Sequence, residues 1–191
     1  MNKKEMRSKL KAVLKKRRYE HSLGVCAEAV RMAELFGADT EKAHIAGLLH
    51  DCAKCLTEEQ EKEVCKRYSY VPDLMTRLCH PVLHAPLGAV VAEHEYGVTD
   101  KEILDAIRYH TVARADMTLL DKIVYVADMT EPGREYDGAE RLRSLAHKDI
   151  DEAFREALKQ SLMHNIKKGS IIHPNSLDAW NSIISDENKR D

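Results

Sequence analysis

The stretch Ile45-Ala46-Gly47-Leu48-Leu49-His50-Asp51 decides how this chain is interpreted. Apolar and small residues lead directly into an imidazole and a carboxylate, as at the end of a buried helix. The run Ile123-Val124-Tyr125-Val126-Ala127-Asp128 likewise ends in a carboxylate. An unpaired carboxylate in such a place costs several kcal/mol. Each acid is therefore expected to be paired, hydrogen-bonded or bound to a metal ion.

Apolar residues recur at helical spacing along almost the whole sequence, and this predicts an all-α fold. A helix through Phe36 is expected to end at Gly37, and Asp39 or Thr40 is expected to cap the next one. Thr57 and Gln60 have the spacing of a capping box. Other helices are predicted near residues 6–14, 86–96, 100–110, 118–129, 149–168 and 174–184, with a polar frayed tail from Asp186. The result is a bundle of about eight to ten helices.

Length and composition are those of one ordinary globular domain spanning residues 1–191. The residues with candidate functional motifs span about 18–134, and C-terminal helices at 149–184 are expected to complete the pocket that these motifs form. The net charge of −2 argues against a nucleic-acid-binding protein. The basic cluster at residues 15–18 is interpreted mainly as a solvated helix end.

Neither a secretory signal nor an apolar run long enough to span a bilayer is visible, so no membrane role is expected. Five cysteines, an odd number, are typical of reduced thiols and favour a cytoplasmic location. Cys52 and Cys55 form a closely spaced pair, but no second pair follows at a zinc-site spacing. We therefore expect neither a zinc-thiolate site nor a redox motif there.

Three further histidines, His21, His84 and His110, lie in comparable apolar surroundings. Each taken alone is more simply a hydrogen-bonded core histidine. Six such positions on four or five helices instead favour a metal site, because helix bundles build such sites from facing helices. Four imidazoles and two carboxylates suit iron, manganese or zinc. The candidate metal ligands are His21, His50, Asp51, His84, His110 and Asp128.

The order of these residues resembles the HD-domain phosphohydrolases, and the flanking strings closely resemble the bacterial YqeK family over about residues 10–180. The matching strings are Arg18-Tyr19-Glu20-His21-Ser22, Leu48-Leu49-His50-Asp51-Cys52-Ala53-Lys54, Leu83-His84-Ala85-Pro86-Leu87-Gly88-Ala89, Ile107-Arg108-Tyr109-His110-Thr111 and Asp121 through Arg134.

The resemblance implies an HD-domain helical bundle with a dinuclear metal site, with iron favoured over manganese or zinc. It also implies that Asp51 bridges the two metals and that a metal-activated water cleaves diadenosine tetraphosphate symmetrically to two ADP. The partner would then be a dinucleoside polyphosphate or another purine nucleotide. Two alternatives stay open: a phosphatase or pyrophosphatase acting on nucleoside mono-, di- or triphosphates, and a nucleotide sensor without turnover. A homodimer through exposed apolar helix faces is compatible with the sequence.

We expect substrate contacts around the metal ligands. Two of those ligands, His21 and Asp51, would also contact phosphate. Lys54 follows Asp51 by three residues and is either a phosphate contact or a surface lysine. His80 is either a phosphate donor or general acid, or an ordinary loop histidine. Gly133 and Arg134 are expected to form a phosphate clamp, and Arg18, one helical turn before His21, is expected to point into the same pocket. The last candidates lie in a segment that resembles the family's base and ribose lining: Ser170, Ile171 and Ile172.

Overall fold

In the computed structural model, which describes residues 1–188, the chain forms eleven α-helices and one short 3-10 helix, with no β-strand in that span. The helices are α1 Lys3–Val13, α2 Lys16–Phe36, α3 Thr40–Leu49, α4 Glu58–Arg67, α5 Leu74–Leu78, the 3-10 helix His80–Val82, α6 His84–Tyr96, α7 Lys101–Tyr109, α8 Leu119–Thr130, α9 Ala139–Ala146, α10 Ile150–Lys168 and α11 Pro174–Asn188.

The helix ends are fixed by residues that the sequence singled out. Gly37 ends α2 in the left-handed region at φ 72°, where glycine has no Cβ penalty. Asp39 caps α3 by accepting bonds from the amides of Glu41 and Lys42. Thr57 caps α4 in a complete capping box with Gln60. These three predictions are confirmed.

The centre of the bundle consists of α2, α3, α7 and α8. Helix α6 packs on α7, while α9 and α10 pack on α8 and on each other. Helices α2 and α3 approach closely at Gly47, where an added Cβ would lie 3.0 Å from Cys26 Cα. The core at these contacts includes Val25, Leu48 and Ile123, all fully buried. The central helices therefore form a closely packed frame that carries, on the helices or directly after their ends, all the candidate ligands except His84.

The all-α prediction is confirmed, but the predicted helix count was too low and several bounds differ. Helices α5 and α9 and the 3-10 helix were missed, because five residues are too few for periodicity and α9 buries few apolar residues. The helix predicted to start at Pro86 begins at His84. The tail predicted from Asp186 is helical to Asn188. Residues 189–191, which end both this tail and the predicted domain, lie outside the described part of the chain.

Within residues 1–188, no helix has the length and apolar character that crossing a membrane requires.

Candidate metal centre

All six candidate ligands come together at one point in the bundle. His21 lies on α2, and Asp128 lies on α8. His50 and Asp51 follow the end of α3, His84 begins α6, and His110 follows the end of α7. His50, Asp51, His84 and His110 are buried, whereas the side chains of His21 and Asp128 are 9% and 20% exposed. The central helices and α6 thus bring together residues that are up to 107 positions apart, counted from His21 to Asp128.

One half of the cluster contains His21, His50, Asp51 and Asp128. The Nε2 atoms of His21 and His50 are 3.3 Å apart. Oδ2 of Asp51 lies 3.8 Å from His21 Nε2 and 3.4 Å from His50 Nε2. Oδ1 of Asp128 lies 2.9 Å from His21 Nε2 and 3.9 Å from His50 Nε2. Four donor atoms therefore face one small volume.

The other half of the cluster uses the second oxygen of the same aspartate. Oδ1 of Asp51 lies 3.2 Å from His84 Nε2 and 3.7 Å from His110 Nε2. The two Nε2 atoms are 3.3 Å apart. Asp51 thus directs one oxygen to each pair of histidines, which is the arrangement of a carboxylate that bridges two metal ions.

The separations of most of these atoms fit coordination to a shared metal ion. Donors bound at about 2.1 Å to one ion lie roughly 3.0–3.4 Å apart in octahedral or tetrahedral geometry. Two histidine-containing groups in the described chain could each hold an ion, His21 with His50 and Asp51, and Asp51 with His84 and His110. No cysteine belongs to either group, so the nitrogen and oxygen donors suit iron, manganese or zinc.

Hydrogen bonds fix the tautomer of each histidine. Nδ1 of His50 donates to the carbonyl of Gly47 at 2.8 Å, and Nδ1 of His110 donates to that of Ile107 at 2.7 Å. Both carbonyls belong to the last turn of a helix, where they have no partner within the helix. Nδ1 of His84 donates to the Pro81 carbonyl at 2.8 Å. Because a carbonyl oxygen only accepts, each Nδ1 carries a proton, and Nε2 is the nitrogen that each ring turns towards the candidate metal site.

The fourth histidine is held by a residue to which the sequence assigned no role. Nδ1 of His21 donates to Oε1 of buried Glu131 at 3.0 Å. The other oxygen of Glu131 accepts from the Gly133 amide at 2.7 Å. Gly24 makes room for this carboxylate, since an added Cβ there would lie 2.5 Å from Glu131 Oε2. The sequence around Pro132 is turn-prone, and nothing in its local pattern indicated a buried acid.

The electrostatics of the centre favour ionised carboxylates. Burial raises the pKa of Asp51, but the charge of His50 and hydrogen bonds from His110, His50 and His84 outweigh it and hold the pKa well below its usual range. The pKa of Asp128 is also lowered, because His21 and the charges of His50 and Arg134 outweigh its burial. Two carboxylates that stay ionised in a buried pocket are suited to a pair of cations.

Three cationic side chains that the sequence singled out as candidate phosphate contacts lie beside the centre. Arg18 Nη1 donates to Asp51 Oδ2 at 2.6 Å, and Arg134 Nη2 donates to Asp128 Oδ1 at 2.5 Å. Lys54 Nζ lies 3.0 Å from His84 Nδ1. Burial lowers the pKa of Lys54, and the charges of Arg18 and Arg134 lower it further, against the opposing effect of the two aspartates. These three residues, His21 and Gly133 line a cavity of about 790 Å³.

The remaining predicted contacts lie farther out. The side chain of His80 is 55% exposed, and its Nε2 lies 3.0 Å from Glu61 Oε2. Ser170 and Ile171 are exposed, and Ile172 is half-buried. The Ile171 carbonyl lies 3.9 Å from Cys79 Sγ, which places this segment beside the 3-10 helix that contains His80. Their roles at the substrate stay predictions.

Comparison with known proteins adds independent findings. The HD domain family model matches residues 18–133. The chain is 40% identical over 186 residues to the symmetrical bis(5'-nucleosyl)-tetraphosphatase of Bacillus subtilis (strain 168), covering 97% of this chain and 99% of that protein. It is 34% identical over 194 residues to the same enzyme of Staphylococcus aureus, covering all of both chains. A solved structure from Clostridium acetobutylicum, described as a predicted HD superfamily hydrolase involved in NAD metabolism, aligns with a TM-score of 0.92 and 39% identity over 97% of this chain and 98% of that one.

Proposed function

This chain belongs to the HD-domain family, as its motifs predicted, and on that premise we propose that it hydrolyses diadenosine tetraphosphate symmetrically to two ADP. The observation that carries the proposal is Asp51, whose two oxygens each face a separate pair of histidines. Full-length similarity to symmetrical bis(5'-nucleosyl)-tetraphosphatases supports the substrate. The protein is therefore a metal-dependent phosphoanhydride hydrolase.

The six candidate ligands would hold two metal ions, and we propose iron ahead of manganese and zinc. Bound metals lower the pKa of a water molecule toward neutrality and neutralise charge on phosphoryl oxygens. The side chains around the metals divide the remaining work. His50, His84 and His110 are held by backbone carbonyls, and His21 is held by Glu131, so the metal-facing nitrogens are oriented before substrate arrives.

Cations at the mouth of the site bind the phosphate chain. Arg18 donates a hydrogen bond to Asp51, and Arg134 donates one to Asp128. When metal ions hold the two carboxylates, phosphate oxygens can take their place as acceptors for the two arginines. Lys54 supplies a point charge beside His84. We propose that His80, ordered by Glu61, gives a proton to the departing ADP, and that the segment Ser170–Ile172 contacts a base and ribose.

The test is a cleavage assay on protein stripped of metal and then loaded separately with iron, manganese or zinc. The assay is run in water enriched in oxygen-18. Symmetrical cleavage is then expected to give ADP as the sole product, with the oxygen-18 label from water in ADP. ATP with AMP would indicate asymmetric attack. Inorganic phosphate or triphosphate as the main product, without ADP, would refute the proposal and favour a phosphatase. Absence of turnover with every metal, despite tight nucleotide binding, would favour a sensor.

We also propose a cytoplasmic location. The support is that all five cysteines are free thiols, of which Cys26, Cys52 and Cys79 are buried. Fractionation of cells that express the protein with a small tag tests this, and recovery outside the cytoplasmic fraction would contradict it.

A further inference from the structure

Two cavities of similar size meet at the candidate metal centre. The first, described above, has a volume of about 790 Å³ and is lined by His21. The second has a volume of about 720 Å³ and is lined by His110 and Asp128. Arg134 lines both cavities. A dinucleotide cut at its midpoint has identical halves, so it needs space for a nucleotide on each side of the reacting bond.

The two cavities differ in chemistry. The first is lined by five cationic side chains, Lys15, Arg17, Arg18, Lys54 and Arg134, against two acidic ones, Glu20 and Glu131, and contains no tyrosine, phenylalanine or tryptophan among its lining residues. The second also has polar and charged lining residues, but it adds the aromatic and thioether side chains of Tyr125, Met129, Tyr136 and Met163. Cations suit phosphate, whereas flat aromatic and polarisable sulfur groups suit the face of a purine.

The ring of Tyr136 is held in place before any ligand binds. Its hydroxyl donates to the Met129 carbonyl at 3.1 Å. The loop that carries it is anchored from α9, because Arg143 donates to the Thr130 carbonyl at 2.7 Å and to the Arg134 carbonyl at 3.3 Å. Across the cavity, Met163 projects from α10. Tyr136 is 36% exposed and Met163 48% exposed, so both have apolar surface that a ligand can cover.

We infer that this second cavity, walled by Tyr136 and Met163, binds one purine nucleoside of the dinucleotide, an inference that rests on the proposed function. The base lies against the Tyr136 ring and the Met163 thioether, and its phosphates pass Arg134 to reach the metals. Gln160, also in the lining, offers an amide to the edge of the base. The segment Ser170–Ile172, which lines neither cavity, is left to serve the other nucleoside.

The product ADP provides a direct test, because each half of the substrate leaves as ADP. Calorimetric titration of the metal-loaded wild-type protein with ADP is expected to give two ADP per chain. The double variant Tyr136→Ala with Met163→Ala is expected to bind one. Its kcat/KM for the dinucleotide is expected to fall roughly ten- to hundredfold, as the loss of stacking on one base predicts.

Matched variants separate base stacking from other effects. Tyr136→Phe keeps the ring but loses its bond to the Met129 carbonyl, and is expected to retain two ADP sites with a smaller loss of kcat/KM than the double variant. Ile166→Ala removes an exposed apolar side chain from the same helix outside the cavity and is expected to change neither. One ADP per wild-type chain, or two ADP and unchanged kcat/KM in the double variant, would overturn the inference. Failure of the proposed function is distinguishable, because the wild type would then yield no ADP from the dinucleotide whatever its ADP stoichiometry.

Discussion

The substitution Gly24→Ala is expected to weaken metal binding without touching a metal ligand. Gly24 lies on α2, one helical turn after His21, and faces Glu131. The new Cβ would lie 2.5 Å from Glu131 Oε2 and 3.2 Å from its Cδ. Non-bonded carbon and oxygen atoms require about 3.5 Å, so the carboxylate has to retreat by about 1 Å from α2.

That retreat breaks the support of His21. Because His21 lies on the same helix, a shift of Glu131 away from α2 stretches the present 3.0 Å bond to Nδ1 beyond hydrogen-bonding distance. Losing such an outer partner typically weakens metal binding about ten- to hundredfold, equivalent to about 1.4–2.7 kcal/mol. Alanine favours a helix interior over glycine by about 1 kcal/mol, so the metal-free protein is not expected to lose stability.

Metal content after dialysis against graded chelator concentrations measures the effect, with thermal unfolding of the metal-free protein as the stability control. We expect one of the two proposed metal ions to be lost at lower chelator concentration than in the wild type. The variants Glu131→Ala and Gly24→Ala with Glu131→Ala are expected to match each other, because alanine at 24 has nothing left to displace. Wild-type metal retention in Gly24→Ala, or losses that add in the double variant, would refute the reasoning.

Three further predictions follow from the same geometry. Asp51→Asn is expected to lower turnover about a thousandfold or more and to reduce metal content at both sites; full activity with depleted metal would exclude metal catalysis. Arg134→Ala is expected to raise KM about ten- to hundredfold with little change in kcat, and an unchanged KM would remove Arg134 from the phosphate clamp. Burial raises the pKa of Cys26 to about 11 from 9.0, against the lowering effect of Arg7 and Lys3. The stabilisation that comes from keeping this thiol neutral is fully present below pH 9 and is lost as the pH rises towards 11, by up to about 2–3 kcal/mol. Denaturant titrations are therefore expected to show that the free energy of unfolding falls less steeply between pH 9 and 11 in Cys26→Ala than in the wild type.

The sequence predicted the helices whose ends carry local signals. Asp39 and Thr57 place a side-chain acceptor where free helix amides need one, so their helices could be located from a few residues. Helix α5 has the same kind of cap at Asp73, but its five residues make too short an apolar pattern to recognise. Capping residues thus located the starts of helices, whereas a helix too short to show apolar periodicity could not be recognised.

The candidate ligands could be predicted because each is a titratable residue in an apolar run, which is conspicuous in a sequence. Their supports could not. Glu131 lies in a turn, where an acid is ordinarily solvated, and its burial depends on the absence of a side chain at Gly24, 107 residues earlier in the chain. The carbonyls that orient His50 and His110 belong to the backbone and leave no trace in the residue types. These contacts arise only from packing between helices.

One short segment joins metal binding to substrate binding. Asp128 faces the metal centre, Glu131 orients His21, Arg134 lines both cavities, and Tyr136 walls the second one. Arg143 holds this segment from α9 through the carbonyls of Thr130, Glu131 and Arg134. If Asp128 holds a metal ion as proposed, Arg134 would lose its present partner and would be available to phosphate. On this proposal, filling the metal site would prepare the phosphate site, because both depend on the same carboxylate and the same anchored loop.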